Sequence, residues 1–320
     1  MYKLEMMHSA EKLVRDVIGV QKEDQVLVIT DAMKLSVGEV FAMACRGLGA
    51  ETILSIMPLT AEHGSEPPGI IAAAMKAADV VFAPTTYAIT HTRARLEAFA
   101  AGTRVAILRG VTEDMMIKGA MTVDFEKLKA LTGKVAQRLS EANEITVTSA
   151  TGTEITFSVA RRKAFALDGY FHEDYGFAVL PPGESPTCPK EGTANGTIVI
   201  DYSMDGLGRL SEPLTLTVKK GVVLSVRGGS QEVQFIEQIF ERDPTARNLA
   251  EFAIGTNPKA RLIGNLAEDK KLYGTVHFAI GDNKSLGGIV ESSVHLDGLI
   301  LKPTVRTGKS ILVEAGKIKL

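Results

Sequence analysis

Cysteine is scarce in this chain. The 320 residues contain two, Cys45 and Cys188, far apart in sequence. Two thiols cannot build a thiolate-rich zinc site. Their number fits a reduced cytoplasm better than a secreted disulfide scaffold, so a cytoplasmic protein is expected. Long apolar runs are missing as well. None approaches the roughly 18 residues that a membrane helix needs. The opening MYKLEMMHSAEKLVRDV is charged throughout, unlike a signal peptide. There is no excess of charge of one sign. The formal net charge is -2, which gives no bulk attraction to nucleic acid or to an anionic membrane.

Several common motifs are also absent. No G-x-G-x-x-G follows a strand-like run, so dinucleotide binding has no support. TGKS at 307–310 imitates the end of a phosphate-binding loop, but the earlier glycine would fall at Pro303. There is no G-x-S-x-G elbow and no H-E-x-x-H.

What remains is an ordinary globular composition, 45% hydrophobic and 23% charged. A chain of this length usually divides in two. In the first part, QVLVIT (25–30), ETILSIM (51–57), DVVFAP (79–84) and RVAILRG (104–110) read as nearly continuous apolar strands. Helix-length stretches separate them, including 33–49 and 69–78. Strands buried on both faces and alternating with helices predict a doubly wound parallel sheet of flavodoxin-like type. FEKLKALTGKVAQRLSEA (125–142) reads as a closing helix.

The pattern then changes. Residues 143–160 and 214–229 read as hairpins, 196–203 as a strand and 231–242 as a helix. VHLDGLIL and SILVEAGKIKL read as terminal strands. The expected organisation is an α/β domain over 1–142 and an α+β, mostly antiparallel β, metal-binding domain over 143–320.

The histidines and acids point to the second part. SSVHLDG (292–298) places His295 and Asp297 two residues apart in a strand, so both side chains share one face. YGTVHFAIGDN sets His277 among Val276, Phe278 and Ile280. An imidazole in an apolar strand needs a partner, and a metal is one. Two such histidines 18 positions apart, one paired with a carboxylate, make a ligand set for zinc, cobalt, manganese or iron(II). Glu184 in VLPPGESP follows a stiff Pro-Pro-Gly bend. Glu251 in NLAEFAIGTNP reads as the end of a short helix-like stretch. Asp168, His172, Glu173, Asp174 and Asp201 are weaker candidates. LDGYFHEDYG (167–176) reads as an exposed loop with an aromatic anchor. Arg161 and Arg162 are candidates to meet a substrate carboxylate.

Taken together, LPPGESPTCPKEGTANGTIVID, LAEFAIGTNP, YGTVHFAIGDN and VHLDG resemble the signature blocks of the aminopeptidase T and aminopeptidase S family of metalloaminopeptidases, of the shorter leucyl aminopeptidase-like type. The resemblance runs through most of residues 150–300. It implies two divalent ions (zinc, cobalt or manganese) held by two glutamates, two histidines, an aspartate and a tyrosine. By motif these are Glu184, Glu251, His277, His295 and Asp297; residues 278–294 contain no tyrosine. Glu184 or Glu251 would serve as ligand or as general base. The resemblance further implies short peptide substrates and a homodimer.

Two activities follow as expectations. The first is a dinuclear aminopeptidase, a hydrolase that releases N-terminal residues through a metal-activated water. The alternative is a mononuclear Fe(II) ring-cleaving dioxygenase acting on a dihydroxypyridine-like aromatic, because His277, His295 and Asp297 also form a 2-His-1-carboxylate set. The aminopeptidase family looks related to such enzymes. A third reading, a binding module with a degenerate site, has the least support from five matching positions.

Overall fold

The computed structural model describes residues 2–90 and 92–320; Met1 and His91 lie outside that set. In chain order the strands are β1 (Gln25–Thr30), β2 (Glu51–Ile56), β3 (Val80–Ala83), β4 (Arg104–Ile107), β5 (Glu144–Thr148), β6 (Glu154–Ser158), β7 (Ala178–Val179), β8 (Glu184–Thr187), β9 (Asn195–Ile200), β10 (Ser203–Met204), β11 (Gly208–Arg209), β12 (Leu214–Lys219), β13 (Val222–Arg227), β14 (Leu249–Gly255), β15 (Val276–Gly281), β16 (His295–Ile300), β17 (Thr304–Thr307), β18 (Ser310–Glu314) and β19 (Lys317–Ile318). The helices are α1 (Tyr2–Lys12), α2 (Leu35–Gly47), α3 (Gly69–Ala77), α4 (Arg93–Ala100), α5 (Glu113–Lys118), α6 (Phe125–Ser140), α7 (Ser230–Arg242) and α8 (Leu266–Asp269). None of them is long and apolar enough to cross a membrane.

The chain forms two compact units. One runs to Lys129 and includes Leu167–Pro182; the other comprises Ala130–Ala166 and Gly183–Leu320. The division falls inside α6. The composition of the sequence changes only at 143, where β5 begins, which is why a boundary at 142/143 was expected.

The first unit is a parallel sheet in the order β2-β1-β3-β4-β7. This is the doubly wound arrangement expected, with a short fifth strand contributed from 178–179. β3 is buried along its whole length and β1 after its first residue. On one face Phe41 of α2 stacks on Phe82 of β3, with centroids 5.1 Å apart. On the other, Leu27, Val81 and Val105 pack with Met75 of α3 and Ala98 of α4. Apolar cover on both faces explains the continuous apolar runs of β1, β3 and β4. β2 departs from the expectation: it is an edge strand, with Ile53 and Ile56 exposed.

The second unit holds two antiparallel sheets. One has six strands in the order β11-β10-β16-β15-β14-β8, the other eight in the order β13-β12-β9-β6-β5-β17-β18-β19. They share an apolar core. Phe157 of β6 meets Phe252 of β14 and Phe278 of β15 at centroid distances of 5.3 and 5.7 Å. α7 adds Ile236 and Phe240 to the same core. The two expected hairpins are β5–β6 and β12–β13. The second turns on Lys220 and Gly221, both at positive φ. The TGKS segment is the β17–β18 turn and precedes no helix.

One local expectation fails. Glu251 does not end a helix; it lies inside β14, seven residues buried throughout. The stretch pairs with β8 on one side and β15 on the other. Short apolar runs are ambiguous between helix and strand, and sheet pairing on both edges decides this one.

Candidate metal centre

Four adjacent strands of the six-stranded sheet each bring candidate side chains to one face. Alternation assigns the faces. Val276, Phe278 and Ile280 of β15, with Phe252 and Ile254 of β14 and Ile300 of β16, point into the core. The opposite face carries His277, Ala279 and Gly281 of β15. In register with these lie Leu299, Asp297 and His295 of β16. The strand pattern thus turns His295 and Asp297 to one side, away from the apolar core.

Glu251 shares that face with Ala253 by alternation, since Phe252 between them pairs with Phe278 on the core side. A bulge falls at Ala250: Leu249 pairs with Ile280, so it stays on the core face although it lies two residues from Glu251. Beyond it, Gly255 pairs with Glu184 at the start of β8. The residues between the acids are small. Ala279 separates Asp297 from Glu251 in register, so no large side chain fills the space between them.

The polar atoms converge. His277 Nε2 lies 3.1 Å from Glu251 Oε1, 3.5 Å from Glu184 Oε2 and 4.0 Å from Asp297 Oδ1. His295 Nε2 lies 3.1 Å from Glu251 Oε2 and 3.5 Å from Asp297 Oδ1. Ligand atoms of Glu251, His295 and Asp297 all fall within 4.8 Å of one another. His277 is fully buried, and Asp297, Glu184 and Glu251 are 1, 3 and 6% exposed. His295 is partly open, with 27% of its side chain exposed.

The donor set suits a metal by its own chemistry. His295 Nδ1 donates to the Asp282 carbonyl at 2.8 Å, which leaves the Nε2 lone pair toward the acids. Asp297 Oδ1, Glu184 Oε2 and His277 Nδ1 are buried and have no hydrogen-bond partner among the described residues. Buried polar atoms are rarely left unpartnered. Asp297 Oδ1 faces both imidazoles, and an ion there would satisfy it.

Two residues not anticipated from the sequence complete the cluster. Lys270 Nζ lies 2.8 Å from Asp297 Oδ2 and 3.5 Å from Glu184 Oε2. The almost fully buried Lys271 ammonium contacts Glu184 Oε1. Gly255 is what lets their segment come so close: a Cβ there would sit 2.2 Å from the Leu272 carbonyl oxygen and 2.9 Å from that of Lys270. The signal was the KK pair just upstream of the G-T-x-H block.

The electrostatics follow from this layout. Burial pushes the Asp297 carboxyl up, but Lys270 and the imidazoles outweigh it and hold it well below its usual range. Burial likewise opposes ionisation of Glu251, and hydrogen bonds from His277 and His295 overcome it. Burial lowers His295, yet Asp297 and Glu251 raise it well above an ordinary imidazole. Burial pulls the Lys271 ammonium down to about 8 against Glu184. Two carboxylate oxygens within 3.5 Å of His295 Nε2 favour positive charge at that atom.

The weaker candidates lie elsewhere. Asp168 is buried and bonded to His172 Nε2 at 2.9 Å in the first unit. Asp201 accepts from Thr151 Oγ1 and Leu301 N. Arg162 pairs with Glu191 and with the Gly287 carbonyl, so its guanidinium is engaged within the protein.

A family model described as NicX, 2,5-dihydroxypyridine 5,6-dioxygenase, matches residues 10–320. The chain belongs to this dioxygenase family. A curated relative, the 2,5-dihydroxypyridine 5,6-dioxygenase of Pseudomonas putida strain KT2440, is 25% identical over 238 residues. That match covers 70% of this chain and 66% of the relative, just under two thirds of its length. The solved structure of 2,5-dihydroxypyridine dioxygenase from Pseudomonas putida KT2440 superposes with a TM-score of 0.84 at 19% identity, covering 99% of this chain and 97% of that one. Wild-type AmpT from Thermus thermophilus, an aminopeptidase T, gives a TM-score of 0.72 at 17% identity, with full coverage of both chains. These two likenesses bear on the fold.

The aminopeptidase reading is therefore corrected. The AmpT likeness reaches the fold, but the family match and the curated relative both lead to the dioxygenase. Hydrolysis of peptides, and the hydrolase class with it, is overturned. The fold is common to the AmpT structure and the dioxygenase structure, so a resemblance that follows the fold does not fix the reaction.

Proposed function

We propose that this chain is a mononuclear Fe(II) dioxygenase that opens a dihydroxypyridine-like aromatic ring. Membership of the dioxygenase family supports it, as does the ligand frame: a 2-His-1-carboxylate set suits iron(II) that must react with oxygen. The observation that carries the reading is Asp297 Oδ1. It is buried, has no hydrogen-bond partner among the described residues, and faces the Nε2 atoms of His295 at 3.5 Å and His277 at 4.0 Å.

In this reading His277, His295 and Asp297 hold the ion, and Glu251, which reaches both imidazoles, stands beside them as a further carboxylate. Bound iron(II) supplies the one-electron chemistry by which a hydroxylated ring reacts with dioxygen. The protein's own residues prepare that site. The Asp282 carbonyl fixes the His295 tautomer. Lys270 holds one oxygen of Asp297 and leaves the other to the ion. The partly open edge of His295 gives access, while His277 stays fully buried.

The test is oxygen uptake by protein loaded anaerobically with Fe(II), given 2,5-dihydroxypyridine as the probe. One oxygen molecule consumed per ring lost, abolished in His295→Ala, is the expected result. Fe-loaded, folded protein that consumes no oxygen with this ring or its mono- and dihydroxylated analogues overturns the proposal.

A further inference from the structure

We propose that the Lys270 ammonium occupies the position of a second cation, joining Glu184 to the outer oxygen of Asp297 so that the site takes a single divalent ion. The inference rests on the ligand frame of the proposed dioxygenase and goes on to the residue that sets its metal count.

The charges lead to it. Glu184, Glu251 and Asp297 place three carboxylates on one buried sheet face. Such a cluster requires compensation. In a dinuclear site the compensation is a second metal bridged by shared carboxylates. Here Lys270 Nζ does the bridging, 2.8 Å from Asp297 Oδ2 and 3.5 Å from Glu184 Oε2. Lys271 takes the other oxygen of Glu184. Three negative charges against two ammoniums leave one. A single divalent ion more than neutralises that remainder, and a second would meet an ammonium in its place.

The backbone that carries the two lysines is fixed on several sides. α8 ends at Asp269, and Lys270 caps it. Asp269 is buried, accepting from Ser203 Oγ at 2.9 Å and Ile263 N at 2.7 Å. Glu268 is buried against Arg261. The Lys271 carbonyl accepts from Asn257 N at 2.8 Å, and Lys271 N donates to the Glu268 carbonyl at 2.9 Å. These bonds deliver two consecutive ammoniums to the two oxygens of one carboxylate. An ammonium is a compact point charge with three donors, suited to bridging two acids.

The test counts ions. Chelator-stripped protein is titrated with Zn(II) as the probe, and bound metal per chain is measured by calorimetry and elemental analysis. The wild type is expected to bind one ion, and Lys270→Gln and Lys270→Glu two, with the second ion tighter in Lys270→Glu. Two ions per wild-type chain overturn the inference. So does a folded Lys270→Gln or Lys270→Glu chain that still binds one. Should Lys270→Glu not fold, the wild-type count and Lys270→Gln decide alone. A wild type with one ion but no oxygen uptake defeats the proposed activity and leaves the role of Lys270 standing; two ions with oxygen uptake do the reverse.

Discussion

Replacing Gly281 by alanine tests how the sheet positions His295. Gly281 stands opposite His295 in register at the end of β15, with φ of 107°. An added Cβ would lie 2.0 Å from the Val294 carbonyl oxygen. That oxygen is backbone and accepts from Asp282 N at 2.8 Å, so it cannot rotate away. Relieving the overlap to an ordinary contact moves the 294–295 backbone by about 1 Å, away from its partner. A side chain at positive φ costs about 1–2 kcal/mol, and a weakened Asp282–Val294 hydrogen bond about 1 kcal/mol more. The expected loss is about 2–3 kcal/mol of stability. Because Asp282 also accepts from His295 Nδ1, the shift disturbs the histidine's orientation and lowers metal affinity by about 10–100-fold. The matched control is Gly308→Ala. Gly308 has φ of 59° and open space around its missing Cβ, so the variant bears the backbone strain without the clash. Thermal unfolding and metal titration of the pair decide the matter. A Gly281→Ala protein that melts with Gly308→Ala and binds metal as tightly as wild type refutes this account of the strand pair.

Three further outcomes are expected. Asp297→Asn keeps the shape but removes a charge that faces both imidazoles; metal affinity falls by about 100-fold or more while the circular dichroism spectrum is retained, and full metal occupancy in this variant contradicts the ligand assignment. Ala279→Leu fills the gap between Asp297 and Glu251; overpacking costs about 1–3 kcal/mol and metal content drops, whereas unchanged content would show that the ion sits elsewhere. Metal affinity also depends on pH. The His295 imidazole is raised well above 6.5, and the ion must displace its proton, so affinity weakens as pH falls, beginning above 6.5 and approaching about tenfold per pH unit. Titrations that give one affinity from about pH 8 to about pH 6 would remove His295 from the ligand set.

Much of the fold was legible because the relevant signals are local. Continuous apolar runs between helix-length stretches marked the strands of a parallel sheet, which the order β2-β1-β3-β4-β7 bears out; cover on both faces holds for β1, β3 and β4 and fails at the edge strand β2. The hairpin around Lys220 and Gly221 was readable from its turn. Glu251 was misread as helical because Leu249–Gly255 is short and apolar. Its strand character comes from β8 and β15, which are remote in sequence. The exchange of chain between the two units at Leu167–Pro182 has the same origin, since no change of composition marks residues that return to an earlier sheet.

The site was legible only as far as its frame. Two-residue spacing put His295 and Asp297 on one face, and an imidazole amid Val276 and Phe278 marked His277. The bulge at Ala250, which puts Leu249 and Phe252 on the same core face, left no trace in the sequence, since a slip of one residue in pairing is invisible to alternation within a single strand. More consequentially, His277, His295 and Asp297 suit either of the two chemistries weighed from the sequence, so reading them more closely could not separate hydrolysis from ring opening. What distinguishes this site lies beside the motifs. Lys270 and Lys271 neutralise Glu184, an acid that motif reasoning had counted as a ligand. An ordinary-looking lysine pair on the edge of a signature block thus changes the charge that a metal would meet.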